Sequence, residues 1–82
     1  MSRTKDESFM LKLYEVVVKL PDIYDQVDRY TIGQAIGLHA TAVETICKNL
    51  MRTNFIKQDP DDPHLISITP HGIKLVEHIK GF

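Results

Sequence analysis

Thr41, Thr45, Lys48, Asn49 and Arg52 recur at i, i+4, i+7, i+8 and i+11, a spacing that gathers side chains on one face of a helix. Their chemistry suits a reader of nucleic acid. Threonine can meet a phosphate or a thymine methyl, asparagine can pair with adenine through two hydrogen bonds, and arginine can do so with guanine or a phosphate. Backbone N–H groups at the helix start, near Thr41 and Ala42, add donors for a phosphate, and His39 in the preceding turn could touch one when protonated or serve only the turn itself. The same residue types clothe any solvated helix face, so the stripe alone does not separate a DNA contact from a plain polar surface. Glu44, set among them, fits a capping role better than a base contact.

Other reactive residues point to less. His71 and His78 stand seven apart on one helical segment, about 10.5 Å along its axis at ~1.5 Å per residue, too far to share one metal ion unaided. Cys47 falls on the apolar side of its helix, where a free cysteine behaves as a small hydrophobe. Asp22, Asp25 and Asp28 are spaced by three, and no glutamate completes a calcium loop. The chain contains no glycine-rich phosphate loop, no nucleophile elbow and no His-Glu metal motif. We therefore expect neither an enzyme nor a cofactor or metal site.

Several elements must position the polar stripe. A capping box formed by Thr4 and Glu7 opens a first helix that runs to Leu20, before Pro21. Its polar residues Ser8, Lys12, Glu15 and Lys19 form one narrow line and nearly all its other positions are apolar. A helix that is apolar nearly all round has a second surface to bury, and Leu11, Tyr14 and Val18 are the expected dimer or partner contacts, each also readable as a core position. PDIYDQVDR, residues 21–29, reads as an acidic loop with Ile23, Tyr24 or Val27 tucked inward. Thr31 and Gln34 repeat the capping-box spacing and predict a short helix from Ile32 to Ile36, ended by Gly37. Thr41 and Glu44 predict a third box, opening a helix from Thr41 to Thr53 whose inner stripe is Val43, Ile46, Cys47 and Leu50. Asn54 can close it in the left-handed conformation. FIKQD and LISIT then read as two strands joined by PDDPH, with Ile56 in the first and Leu65, with Ser67 or Ile68, in the second. Thr69 and Pro70 supply an N-cap and a first-turn proline for a last helix to about Lys80, with Ile73, Val76 and Ile79 inward.

The order helix, helix, turn, helix, hairpin, helix is that of a winged helix-turn-helix. TIGQAIGLHATAVETICKNLMRTNFI resembles the helix-turn-helix of small bacterial and archaeal transcription regulators such as the MarR-like group, with a threonine-led helix, a Gly-Leu turn and a Thr-x-Val helix before an apolar pair, here Phe55-Ile56. LISITPHGIKLVE is similar to the second wing strand and following helix of that superfamily, with its Thr-Pro-x-Gly step. The resemblance implies a mainly α fold with a small β-hairpin (α+β), a three-helix core plus a wing and a C-terminal helix. It also implies a DNA-binding transcription regulator that places helix 41–53 in the major groove. Three features depart from the pattern. Asn54 stands where glycine is frequent, the further dimerisation helices of the MarR-like group have no counterpart, and the wing tip, Asp59-Pro60-Asp61-Asp62-Pro63-His64, carries carboxylates where the family often carries arginine or lysine.

Composition bounds these expectations. Eighty-two residues, 43% hydrophobic and 26% charged, suit one small globular domain spanning 1–82. A single cysteine excludes an internal disulfide. No apolar run reaches the roughly 20 residues that span a bilayer, and the polar start MSRTKDES lacks a signal-peptide core, so a cytoplasmic location is expected and no membrane. The net charge of −1 is low for a DNA-binding domain. That charge and the acidic wing leave an alternative, a winged-helix module that binds a protein partner and not DNA. If double-stranded DNA is the partner, one neutral module makes few phosphate contacts, and useful affinity calls for a homodimer through the first helix.

Overall fold

The computed structural model describes residues 4–81, so the polar start at residues 1–3 lies outside the described residues. Seven elements follow in order: α1 (Lys5–Val17), β1 (Val27–Asp28), α2 (Arg29–Ala35), α3 (Ala40–Arg52), β2 (Ile56–Gln58), β3 (Leu65–Ile68) and α4 (Pro70–Lys80). The strands form one antiparallel sheet in the order β1-β3-β2, with Val27 opposite Ile66, and Ile56 opposite Ile68. One core joins all layers: Phe9, Met10, Leu13 and Val17 of α1 meet Ile32 of α2, Val43, Ile46, Cys47 and Leu50 of α3, Ile56, Ile66 and Ile68 of the sheet, and Val76 of α4.

Two helix starts match the sequence expectation. The Thr4 hydroxyl accepts from the Glu7 N–H while the Glu7 carboxylate accepts from the Thr4 N–H, a complete capping box. At α4 the Thr69 hydroxyl accepts from the Gly72 N–H at 2.9 Å with Pro70 in the first turn. Asn54 takes a positive φ of 63° and closes α3 as expected.

Other boundaries differ, for identifiable reasons. The first helix ends at Val17 rather than Leu20. The Lys19 and Leu20 N–H groups bond to Val16 and Val17, three residues back, tightening the chain before Pro21. The segment read as a loop to Arg29 holds a third strand, β1, which adds to the outer edge of β3. That pairing delivers Asp28 to the start of α2, where its carboxylate accepts from the Tyr30 N–H at 2.8 Å. α2 therefore begins at Arg29, and Thr31 lies inside it, exposed, rather than capping it. Ile23 and Val27 are half-buried there and Tyr24 is exposed. In β3 the buried residues are Ile66 and Ile68, with Leu65 and Ser67 half-buried, because Ile68 faces Ile56 across the ladder. In α4 Val76 is buried and Ile73 and Ile79 are half-buried.

Two glycines set the helix-turn-helix. Gly37, φ 75°, takes the left-handed turn out of α2. At Gly33 a Cβ would collide with the Val43 side chain, so the missing side chain lets α2 lie close against α3.

Candidate nucleic-acid interface

α3 begins one residue earlier than its sequence suggests, at Ala40, with His39 as N-cap. The His39 side chain makes no capping bond, and Thr41 sits within the first turn, so the expected Thr41–Glu44 box does not form. The helix start is left without a side-chain cap, beside exposed His39 and Thr41.

The inner stripe is as the periodicity requires: Val43, Ile46, Cys47 and Leu50 are all buried. Thr41, Thr45, Lys48 and Arg52 are exposed on the opposite side, and Ala42 and Asn49 are half-buried along one flank. Thr45, exposed, donates its hydroxyl hydrogen to the Thr41 carbonyl at 3.1 Å. Lys48 and Arg52 have no ion-pair or hydrogen-bond partner among the described residues. Arg52, in the last turn, also lies at the end of the helix dipole that favours a cation.

The other flank of α3 is tied to α2. Arg29 is buried, 9% exposed, and its Nη2 donates to the Tyr30 hydroxyl at 3.1 Å. The Tyr30 hydroxyl donates to Glu44 Oε2 at 3.2 Å. Glu44 thus finds a side-chain partner on α2 instead of capping its own helix. The guanidinium also lies over the Tyr30 ring, 5.0 Å from its centre. Burial pushes the Cys47 thiol up to about 11, against the opposing pull of the Arg29 guanidinium beside it. A thiol so placed stays protonated at neutral pH and packs as a hydrophobe.

The wing between β2 and β3 has the opposite character. Its aspartates fold the turn: Asp59 accepts from the Asp61 N–H at 2.8 Å and Asp62 accepts from the His64 N–H at 3.0 Å. Gln26 Nε2 donates to Asp59 Oδ2 at 2.9 Å and ties the tip to the segment before β1. The Asp61 N–H, and after it Gln26, hold the Asp59 carboxyl below the usual carboxylate range. Asp61, Asp62, Pro63 and His64 are exposed, and the tip presents carboxylates outward.

On α1, Leu11 and Tyr14 are half-buried against the core, and Lys80 lies over the Tyr14 ring at 5.3 Å. Val18, 46% exposed, is the most open of the three residues assigned to a partner. His71 stacks on Phe55 at 4.7 Å, a packing role, and among the described residues no three His, Cys, Asp or Glu side chains converge on a common point. No helix among them is long and apolar enough to cross a membrane.

Sequence reading missed Arg29 and Tyr30. Within DQVDRY an arginine looks like an ordinary solvated cation, and only the β1–β3 pairing turns it beneath α3. The sole local signal is that a tyrosine follows it.

Three core helices, a wing and a closing helix make the chain a winged helix-turn-helix. Its likeness to solved structures is to MarR-like regulators. MepR, a transcription regulator of the Staphylococcus aureus multidrug efflux pump MepA, matches with a TM-score of 0.70 at 24% identity, over 95% of this chain and 56% of that one. An S. aureus MepR–DNA complex matches with a TM-score of 0.68 at 25% identity, over 95% and 57%. The PcaV transcriptional regulator of Streptomyces coelicolor, in complex with its natural ligand, gives 0.68 at 20% identity, over 96% and 54%. The chain thus spans a little over half the length of these solved chains. No family model and no curated protein matches the sequence.

Proposed function

We propose that this chain is a DNA-binding transcription regulator that lays α3 in the major groove. The observation that carries this is the outward face of α3: Lys48 and Arg52 are exposed and have no partner among the described residues, on a helix fixed to the core by four buried residues. Thr41 and Thr45 extend that face toward the helix start, where Ala42 and His39 flank uncapped N–H groups suited to a phosphate. Asn49, half-buried, reads from the edge of the face. A MepR–DNA complex has a similar fold, which supports DNA as the partner. A cytoplasmic location goes with this reading.

The acidic wing gives this module few phosphate contacts, so binding rests on α3 and on a second copy. We place the homodimer contact on α1, around Val18 with Leu11 and Tyr14 beside it, so that two α3 helices meet half-sites about one helical turn apart. Binding of the purified protein to a labelled random-sequence duplex, followed by fluorescence anisotropy across a salt series, tests the proposal. Affinity should fall as salt rises, with a slope worth several phosphates. Absence of binding at low salt and tens of micromolar protein would overturn it in favour of a protein-interaction module.

A further inference from the structure

Arg29 is a buried cation with no carboxylate of the described residues in direct contact. It is 9% exposed, its Nε has no hydrogen-bond partner, and its Nη2 donates to the Tyr30 hydroxyl at 3.1 Å. The negative charge that answers it is one step further on, at Glu44, reached through the Tyr30 hydroxyl at 3.2 Å. A hydroxyl that accepts from a guanidinium becomes a stronger donor to a carboxylate, since each bond polarises the next. Tyr30 is itself held on two sides, by the Arg29 guanidinium over its ring and by the His64 ring packed edge-on at 5.1 Å with an interplanar angle of 83°. The Arg29 N–H donates to the His64 carbonyl at 2.9 Å and anchors the same corner to the wing.

What this does to α3 follows from helix geometry. Glu44 precedes Lys48 by four residues, the order and spacing in which a glutamate pairs best with a lysine on a helix surface. That pair is not made; Glu44 turns to Tyr30, and Lys48 stays open. A carboxylate on the groove-facing side would both repel phosphate and neutralise the neighbouring cation. We propose that Tyr30, backed by Arg29, is a positioning residue that draws the Glu44 carboxylate off the DNA-facing side of α3 and so keeps Lys48 free for a backbone phosphate. This inference rests on the DNA-binding function proposed above.

The test is a double-mutant cycle read by anisotropy on duplex DNA. Tyr30→Phe keeps the ring and removes only the hydroxyl. In the otherwise unchanged protein it should weaken DNA binding about three- to tenfold and lower the salt slope by about one, the signature of one lost phosphate contact. In a Glu44→Gln background the same substitution should change affinity by less than about twofold, because no carboxylate remains to be released. A merely structural role for Tyr30 would give equal losses in both backgrounds. Glu44→Asp, a surface change that keeps the charge but shortens its reach to Tyr30, should weaken binding much as Tyr30→Phe does and covers the case in which that variant folds poorly. Equal effects of Tyr30→Phe in the two backgrounds, or no effect in either, would overturn the inference while leaving DNA binding by the unmodified protein intact. Failure of the unmodified protein to bind DNA would overturn both.

Discussion

The outward face of α3 and the tip of the wing lie on the same small fold and carry opposite charge. On α3, the cations Lys48 and Arg52 are exposed and without a partner among the described residues, and the one carboxylate of the helix, Glu44, is bonded to Tyr30. In the wing, Asp59 and Asp62 are spent on backbone N–H groups of their own turn and still present negative charge to solvent. The difference shows how the same residue type serves two ends. A carboxylate in a tight turn builds local structure from its own sequence neighbours. A carboxylate on a helix face is governed by whatever the tertiary fold brings beside it. The contrast predicts a protein that grips DNA through one element and contributes little through the other.

The largest effect should come from the core support that both regions share. Leu50→Ala removes a buried anchor of α3 and is expected to cost about 2–5 kcal/mol, lowering the thermal midpoint followed by circular dichroism by roughly 8 °C or more. Next comes the α3 face itself. Combined Lys48→Ala and Arg52→Ala substitution should weaken DNA binding by on the order of tenfold or more and reduce the salt slope by about two, while the thermal midpoint hardly moves. An unchanged salt slope would shift the phosphate contacts to another surface.

The wing sharpens the contrast from the other side. Asp61→Asn with Asp62→Asn removes two negative charges and keeps side-chain oxygens for the turn. DNA binding at low salt should strengthen about two- to threefold and the gain should shrink as salt is added. Loss of binding instead would mean that the acidic tip takes part in recognition. The smallest effect belongs to Cys47 at the back of α3. Its thiol is pushed up to about 11 by burial, so folding favours the protonated form. The resulting stabilisation is fully present below the ordinary value of 9.0 and is lost as pH rises through about 11. At pH 8 the folded protein should react with a thiol reagent only as fast as it unfolds, and rapid labelling of the native state would contradict the packing described for α3.

How much of this was legible in the sequence can be judged at four caps. Thr4 with Glu7 and Thr69 with Pro70 act as their spacing suggests, and the Thr69 hydroxyl accepts from the Gly72 N–H even while it donates to the Asn54 carbonyl at 2.7 Å. Thr31 with Gln34 and Thr41 with Glu44 have the same local pattern and do not cap. Asp28, brought in by the β1–β3 ladder, takes the first site, and Tyr30 takes Glu44 from the second. Local spacing proposes partners, and long-range contacts choose among them. The register of β3 was undecided for a similar reason: LISI has apolar residues on both faces, and only pairing with two neighbours selects Ile66 and Ile68 for the core. The inner and outer stripes of α3 were readable because a period sustained over 13 residues leaves little freedom. Arg29 was hidden because its burial depends on a two-residue strand in an acidic segment.

The most direct test of α3 as the working surface is a titration of isotope-labelled protein with duplex DNA at low salt, followed amide by amide in proton–nitrogen correlation spectra. The largest shifts are expected at Thr41, Ala42, Thr45, Lys48 and Arg52, with small ones at Asp61 and Asp62. Shifts concentrated at the wing tip or on α1, with α3 silent, would contradict it.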